Sequence, residues 1–274
     1  MAESATLGNP AVPTEPDLVG TWRFGEILRD IARGGLAGLA VGVVVGGLGG
    51  RVAMRLIALL IPESSGSSTE NGNRIGDITL GGSLGLIMFA GLFVGIVAGT
   101  LWVVLSPWLP SRSGLRVLAA IPLAIALGAF VVVQGSNPDF IVLGYDPRVL
   151  VVLLGLVGLV GASMAVVDAW LDRRLPRPRS SIGQASGVYI VIALLGSFFA
   201  LGVVATYLDE KLRPAGIALL VSGIATLTWW YLRYRGADRP PLILRLLGSG
   251  GVIAAVVLGF ALLLPHIRLA LGSF

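Results

Sequence analysis

The sequence predicts an all-α, polytopic transmembrane helix bundle of about seven spans, and three observations carry that reading. Hydrophobic residues make up 55% of the chain and charged residues only 13%, roughly half the charged share of a soluble domain. Mean hydropathy is +0.89. Apolar runs recur that are long enough to cross a hydrocarbon core of ~30 Å at 1.5 Å per helical residue. The spans fall at 34–56, 84–106, 117–134, 149–171, 187–208, 214–232 and 247–264.

Taken in order, residues 1–20, MAESATLGNPAVPTEPDLVG, are polar and proline-bearing. With no basic start and no short apolar core they read as a disordered cytoplasmic tail, not a cleaved signal. Residues 21–33, TWRFGEILRDIAR, place Phe24, Ile27, Leu28 and Ile31 on one helical face, with Arg23, Arg29 and Arg33 on others. That spacing predicts an amphipathic juxtamembrane segment; a plain extension of the first helix fits it equally. Residues 34–265 form the bundle, and 266–274 an outer C-terminal tail.

Charge sets the orientation. Of the 20 basic residues, Arg74, Arg148, Lys211, Arg213 and Arg268 fall on one side, Arg51 and Arg55 inside span one, and all others on the N-terminal side. Short loops rich in arginine stay in the cytoplasm, so the N-terminus is expected inside and the C-terminus outside. The expected location is a cell membrane, of the bacterial inner-membrane type. The net charge of +5 and pI near 10.2 do not point to nucleic acid, because the arginines are scattered among short loops. The basic inner loop DRRLPRPRSSIGQAS suits anionic lipid headgroups.

Glycine spacing predicts how the helices meet. Gly34, Gly38, Gly42, Gly46 and Gly50 recur every four residues in span one, and Gly91, Gly95 and Gly99 repeat the device in span two. Such ridges let backbones approach closely where lipid removes the hydrophobic drive for association. Span two is the expected partner; a second copy of the chain, giving a homo-oligomer, or a membrane-complex partner is the other.

Arg51 and Arg55 stand one turn apart near the outer end of span one, with the apolar LIALLI still to follow. At that depth they snorkel rather than sit mid-bilayer. Carboxylates on the outer side include Glu63, Glu70, Asp77, Asp139, Asp146, Asp209 and Glu210, of which Asp77 and Asp139 are the expected partners. Together with Arg74, the two arginines make either a structural ion-pair network or an anion site, since forked guanidinium groups match carboxylate and phosphate.

The stretches GGRVAMRLIALL, NGNRIGDITLGG and NPDFIVLG, in that order, resemble a group of multi-pass bacterial membrane proteins to which no activity is attached. The resemblance covers most of the first 170 residues and carries no functional residue with it.

Several chemistries are disfavoured. The chain has no cysteine, which removes disulfides, thiolate metal sites and cysteine nucleophiles. Its one lysine, Lys211, lies in an outer loop, against a retinal Schiff base, and its one histidine, His266, cannot supply a pair of haem ligands. GGSLG places Ser83 in a G-x-S-x-G match on the same side as His266, but that motif belongs on a strand-to-helix turn. An intramembrane serine hydrolase using Ser83 and His266 is therefore a remote alternative. Asp168 and Asp172, one turn apart, suggest a proton relay or, more simply, pairing with Arg173, Arg174 or inner-loop arginines. Thr100, Ser163, Ser197, Ser222 and Thr226 are hydroxyls suited to bond within or between helices. Trp102, Trp108, Trp170, Trp229 and Trp230 lie near span ends, as interface anchors do.

The functional expectation is a non-catalytic structural or interaction protein, with no cofactor and no metal, packing through its Gly-xxx-Gly ridges. The alternative is a transporter or small-solute binder with an outward-facing anion site at Arg51 and Arg55.

Overall fold

The computed structural model describes residues 15–62, 80–133, 146–177, 184–210 and 212–272. Among these the chain is helical, with no strand. A long first rod consists of α1 (Glu15–Val41), a π-helical segment (Gly42–Leu48) and α2 (Gly49–Leu60). The second rod is α3 (Leu80–Leu86), another π segment (Ile87–Gly91), α4 (Leu92–Leu105) and a 3-10 turn at Ser106–Trp108. Then follow α5 (Ser113–Val132), α6 (Pro147–Arg174), α7 (Gln184–Leu208), α8 (Arg213–Tyr234) and α9 (Leu242–Leu271).

Among the described residues, six helical stretches are long and apolar enough to cross a membrane, beginning with the 38-residue Arg23–Leu60; Leu92–Trp108 is a shorter apolar helix. This is an integral membrane protein built as an all-α polytopic bundle. At roughly 57 Å, the Arg23–Leu60 stretch of the first rod alone exceeds a ~30 Å hydrocarbon core, so its ends serve other purposes than spanning.

The structure moves several boundaries. Residues 15–20, read above as tail, begin α1. Pro16 falls in the first turn, where a missing N–H costs nothing. Residues 21–33 continue without a break into 34–41, and Leu28 and Ala32 are buried with Tyr189 and Ala193 of α7. That stretch is an extension of span one inside the bundle. At the other terminus, α9 runs past Pro265 to Leu271.

Helix α5 lies along α6 and α9, α8 pairs with α9, and α1 packs on α4 with α6 and α7 at its flanks. Three apolar clusters join these elements. Ile57, Val133, Val149, Leu153 and Leu263 tie α2 to α5, α6 and α9. Leu105, Leu127, Tyr207, Leu219 and Ala255 tie α4, α5, α7, α8 and α9. Ala37, Val41, Trp102, Ala120 and Met164 tie α1, α4, α5 and α6.

The crossing of the two rods depends on glycine. Gly34, Gly38 and Gly42 meet Gly99, Gly95 and Gly91, an antiparallel pairing in four-residue steps. A Cβ added to Gly38 would overlap the Gly95 carbonyl oxygen and lie 2.6 Å from the Gly99 nitrogen; one added to Gly95 would lie 2.8 Å from the Gly38 oxygen. Gly46 meets Val94 and Gly91, and Gly50 meets Leu86. The two π segments pack on each other at this crossing, where no side chain separates the backbones.

At its start α6 is capped by Asp146, whose side chain accepts from the Arg148 backbone N–H at 2.7 Å with Pro147 as the first helical residue. The Arg148 guanidinium returns to Asp146 at 2.7 Å and donates to the Leu60 carbonyl at 2.6 Å, fastening the end of α2 to the start of α6. Asp146, counted above among acceptors for Arg51 and Arg55, is therefore engaged by its own helix.

Candidate functional site

At the end of the bundle where α1 begins, charge is concentrated and paired. Arg29 and Arg33 stand one turn apart on α1, opposite Asp168 and Asp172, one turn apart on α6. Arg33 Nε donates to Asp168 at 2.8 Å and Arg33 Nη1 to Asp172 at 2.6 Å. Arg29 donates to the Asp172 carboxylate at 2.9 Å, to its carbonyl at 2.6 Å and to the Leu175 carbonyl at 3.2 Å. Asp168 is 1% exposed and Arg29 5%. On the other side of Asp168, Arg116 of α5 approaches Oδ2 at 3.5 Å.

The network extends to α8. Arg233 pairs with Asp30 at 2.7 Å and with Glu26 at 2.8 Å, and Asp30 also lies 3.4 Å from Arg33. Arg23 donates to the Arg233 carbonyl at 3.2 Å and pairs with Asp238 at 3.1 Å. Arginines 23, 29, 33, 116 and 233 thus balance Glu26, Asp30, Asp168, Asp172 and Asp238. Burying charge costs several kcal/mol per ion unless each is paired and hydrogen-bonded. Here the pairing clamps α1, α5, α6 and α8 at one level.

Asp168 and Asp172 therefore turn to Arg29, Arg33 and Arg116. Arg174 instead lies over the Trp170 ring, 5.7 Å from its centroid. The readable signal was the matching i,i+4 spacing of Arg29/Arg33 and Asp168/Asp172; which helices it would join was not readable.

One turn deeper than Arg116 and Asp168 are Ala120 and Met164, and there a cavity of ≈ 260 Å³ opens between the first rod, the second rod, α5, α6 and α7. Its wall is almost wholly apolar and includes Trp102, Leu105, Leu127, Val157 and Tyr207. The Tyr207 hydroxyl is engaged, donating to the Leu127 carbonyl at 2.6 Å.

Two tryptophans near this cavity differ in one respect. Trp108, 8% exposed, donates its indole N–H to Thr226 Oγ1 at 2.7 Å, and Thr226 donates to the Val104 carbonyl at 2.6 Å. Trp102, 5% exposed, has no acceptor for its N–H among the described residues. Neither is an interface anchor: α1, α5 and α6 cover Trp102 on α4, and α5, α8 and α9 cover Trp108 in the 3-10 turn that follows it. The Arg116 guanidinium lies over the Trp102 ring, 5.2 Å from its centroid, and the Arg116 Nε–H is also without an acceptor. Sequence position alone gave no sign of this pair.

A larger crevice, ≈ 590 Å³, runs between α1, α4, α7 and α8. Its rim carries Ile224 and Leu227, each 63% exposed, so it is a lipid-facing groove.

Of the residues singled out for an anion site, Arg51 is half-buried and Arg55 exposed on α2, while Arg74, Asp77 and Asp139 lie outside the described residues. Ser83 belongs to α3, and its side chain, like any relation it has to His266, lies outside the described residues. Among the described residues no three His, Asp or Glu side chains are grouped as metal ligands would be. The chain matches no family model, no curated protein and no solved structure.

Proposed function

We propose that this integral membrane protein is non-catalytic and binds a small membrane-soluble molecule within its bundle. The observation that carries this is the apolar cavity between the two rods, α5, α6 and α7. The hollow opens to one side, where Phe93, 55% exposed, lines it, and ligand sites are largely preformed apolar hollows of ~300–1,000 Å³. At ≈ 260 Å³ the cavity falls just below that range and suits a small ligand. The glycine ridges give less support to a partner-binding role, because their close faces are spent on packing α1 against α4.

Native mass spectrometry of protein purified in mild detergent tests the reading. One small lipid-like molecule per chain is expected, and Val157→Phe, which fills the cavity, should release it. Loss of the ligand should also lower thermal stability, by about 2.7 kcal/mol if the ligand had been present at ~100 times its Kd. A wild-type protein that carries nothing and is unaffected by Val157→Phe would overturn the proposal.

A further inference from the structure

We infer that the seam between α5 and α9 is a docking surface for one anionic phospholipid of the bilayer, its phosphate held between Arg112 and Arg245. Counter-charge is what these two arginines lack. At the end of the bundle where α1 begins, Arg23, Arg29, Arg33, Arg116 and Arg233 occupy the carboxylates of Glu26, Asp30, Asp168, Asp172 and Asp238. Arg112 and Arg245 are exposed at the same end, and among the described residues neither makes an ion pair or a side-chain hydrogen bond. With those carboxylates engaged, the anion at hand on a membrane surface is the lipid phosphate, which guanidinium groups match in charge and geometry.

Packing sets the two arginines side by side. Helices α5 and α9 run parallel: a Cβ on Gly259 would overlap the Ala126 carbonyl, and one on Gly248 would overlap the Trp108 ring. The Ser249 hydroxyl also donates to the Trp108 carbonyl at 3.4 Å, which keeps this end of the seam closed. Fourteen residues back from Gly259 and Ala126, about four turns on either helix, come Arg245 and Arg112. They therefore stand at one level on adjacent helices, and helix axes in contact lie ~8–10 Å apart. Two long arginine side chains span that gap to a single phosphate. Deeper along the seam, Leu115 and Leu118 of α5 and Leu246 and Ile253 of α9 are each about half exposed or more. In a bilayer these side chains face hydrocarbon, so an acyl chain lies along them while its phosphate stays at the charged level. A soluble phosphate gains nothing from that apolar wall, which selects the lipid as occupant.

Native mass spectrometry of delipidated protein, titrated with phosphatidylglycerol or with phosphatidylcholine of the same chains, tests this. One phosphatidylglycerol per chain should bind about 20-fold more tightly than phosphatidylcholine, since each arginine near a phosphate contributes roughly fivefold. Arg112→Ala and Arg245→Ala should each weaken phosphatidylglycerol about fivefold and leave phosphatidylcholine unchanged. Arg268→Ala, exposed at the opposite end, should change neither. Added salt should erode the preference in the wild-type protein, a readout that needs no variant to fold. Equal affinity for the two lipids would overturn the proposal. So would a preference that survives Arg112→Ala combined with Arg245→Ala, because the anion would then be held elsewhere. Glycerol phosphate that displaces phosphatidylglycerol at equal concentration would overturn the lipid in favour of a free anion. Val157→Phe, which fills the cavity, should leave this lipid bound, so the two sites stand or fall separately.

Discussion

Gly38 of α1 and Gly95 of α4 approach so closely that a methyl group on either would strike the other's backbone. Gly42 repeats the relationship one turn on, with Gly91 and Gly95. In lipid, helices gain nothing by hiding apolar surface from water, so association depends on contact and on weak Cα–H···O interactions that only glycine permits. Replacing Gly38 or Gly42 with leucine should force the rods apart and cost about 1–3 kcal/mol or more by overpacking. Gly202, in the middle of α7, has nothing within 4 Å of its would-be Cβ, so Gly202→Ala should be neutral or stabilise by up to ~1 kcal/mol through helix propensity. Thermal melts of the three variants in detergent decide it; equal tolerance at all three positions would show the crossing to be loose.

Asp168 is the charge on which the clamp depends most. Asp168→Asn should leave Arg33 and Arg116 short of a counter-charge and destabilise by roughly 3–5 kcal/mol. Asp238, 86% exposed in its side chain, pairs with Arg23 at the edge, and Asp238→Asn should cost within ~0.5 kcal/mol. A double variant, Arg33→Met with Asp168→Leu, should recover part of the loss. Denaturation midpoints read all three. Equal effects at Asp168 and Asp238 would mean the network is solvated throughout.

Asp146 makes stability depend on acid. The Arg148 side chain, hydrogen-bonded to it, holds the Asp146 carboxyl below its ordinary value, and the Arg148 backbone N–H adds to this. A carboxyl with a depressed folded-state pKa contributes stability that is complete above its unfolded value of ~3.9 and lost as pH falls through the lower, folded value. Asp146→Ala should cost about 1 kcal/mol at neutral pH, as N-cap losses do. The gap between variant and wild type should narrow below pH ~4. A gap constant down to pH 2 would place the effect elsewhere.

Topology is testable because the chain has no cysteine. From the distribution of arginine, the end holding Asp238 should face the cytoplasm and the end holding Asp209 should face out. Single cysteines at these two positions, treated with a membrane-impermeant thiol reagent on intact cells, should label at 209 and not at 238. The reverse pattern would invert the orientation.

Composition and apolar run length determined by themselves that this is a multi-pass helical membrane protein, because lipid leaves the backbone of a spanning segment no partner but its own helix. The four-residue repeat from Gly34 to Gly50, and its echo from Gly91 to Gly99, likewise marked the faces able to approach closely. What only the tertiary structure decided is which groups meet across the chain. Arg33 reaches Asp168 across 135 positions, whereas the sequence offered Arg173, Arg174 or any of the inner-loop arginines without choosing among them. Trp102 and Trp108 sit near helix ends as anchors would, yet neighbouring helices bury both, one with an acceptor and one without. Periodicity tells which face of a helix is apolar or charged; which helix covers that face depends on the packing of all of them at once.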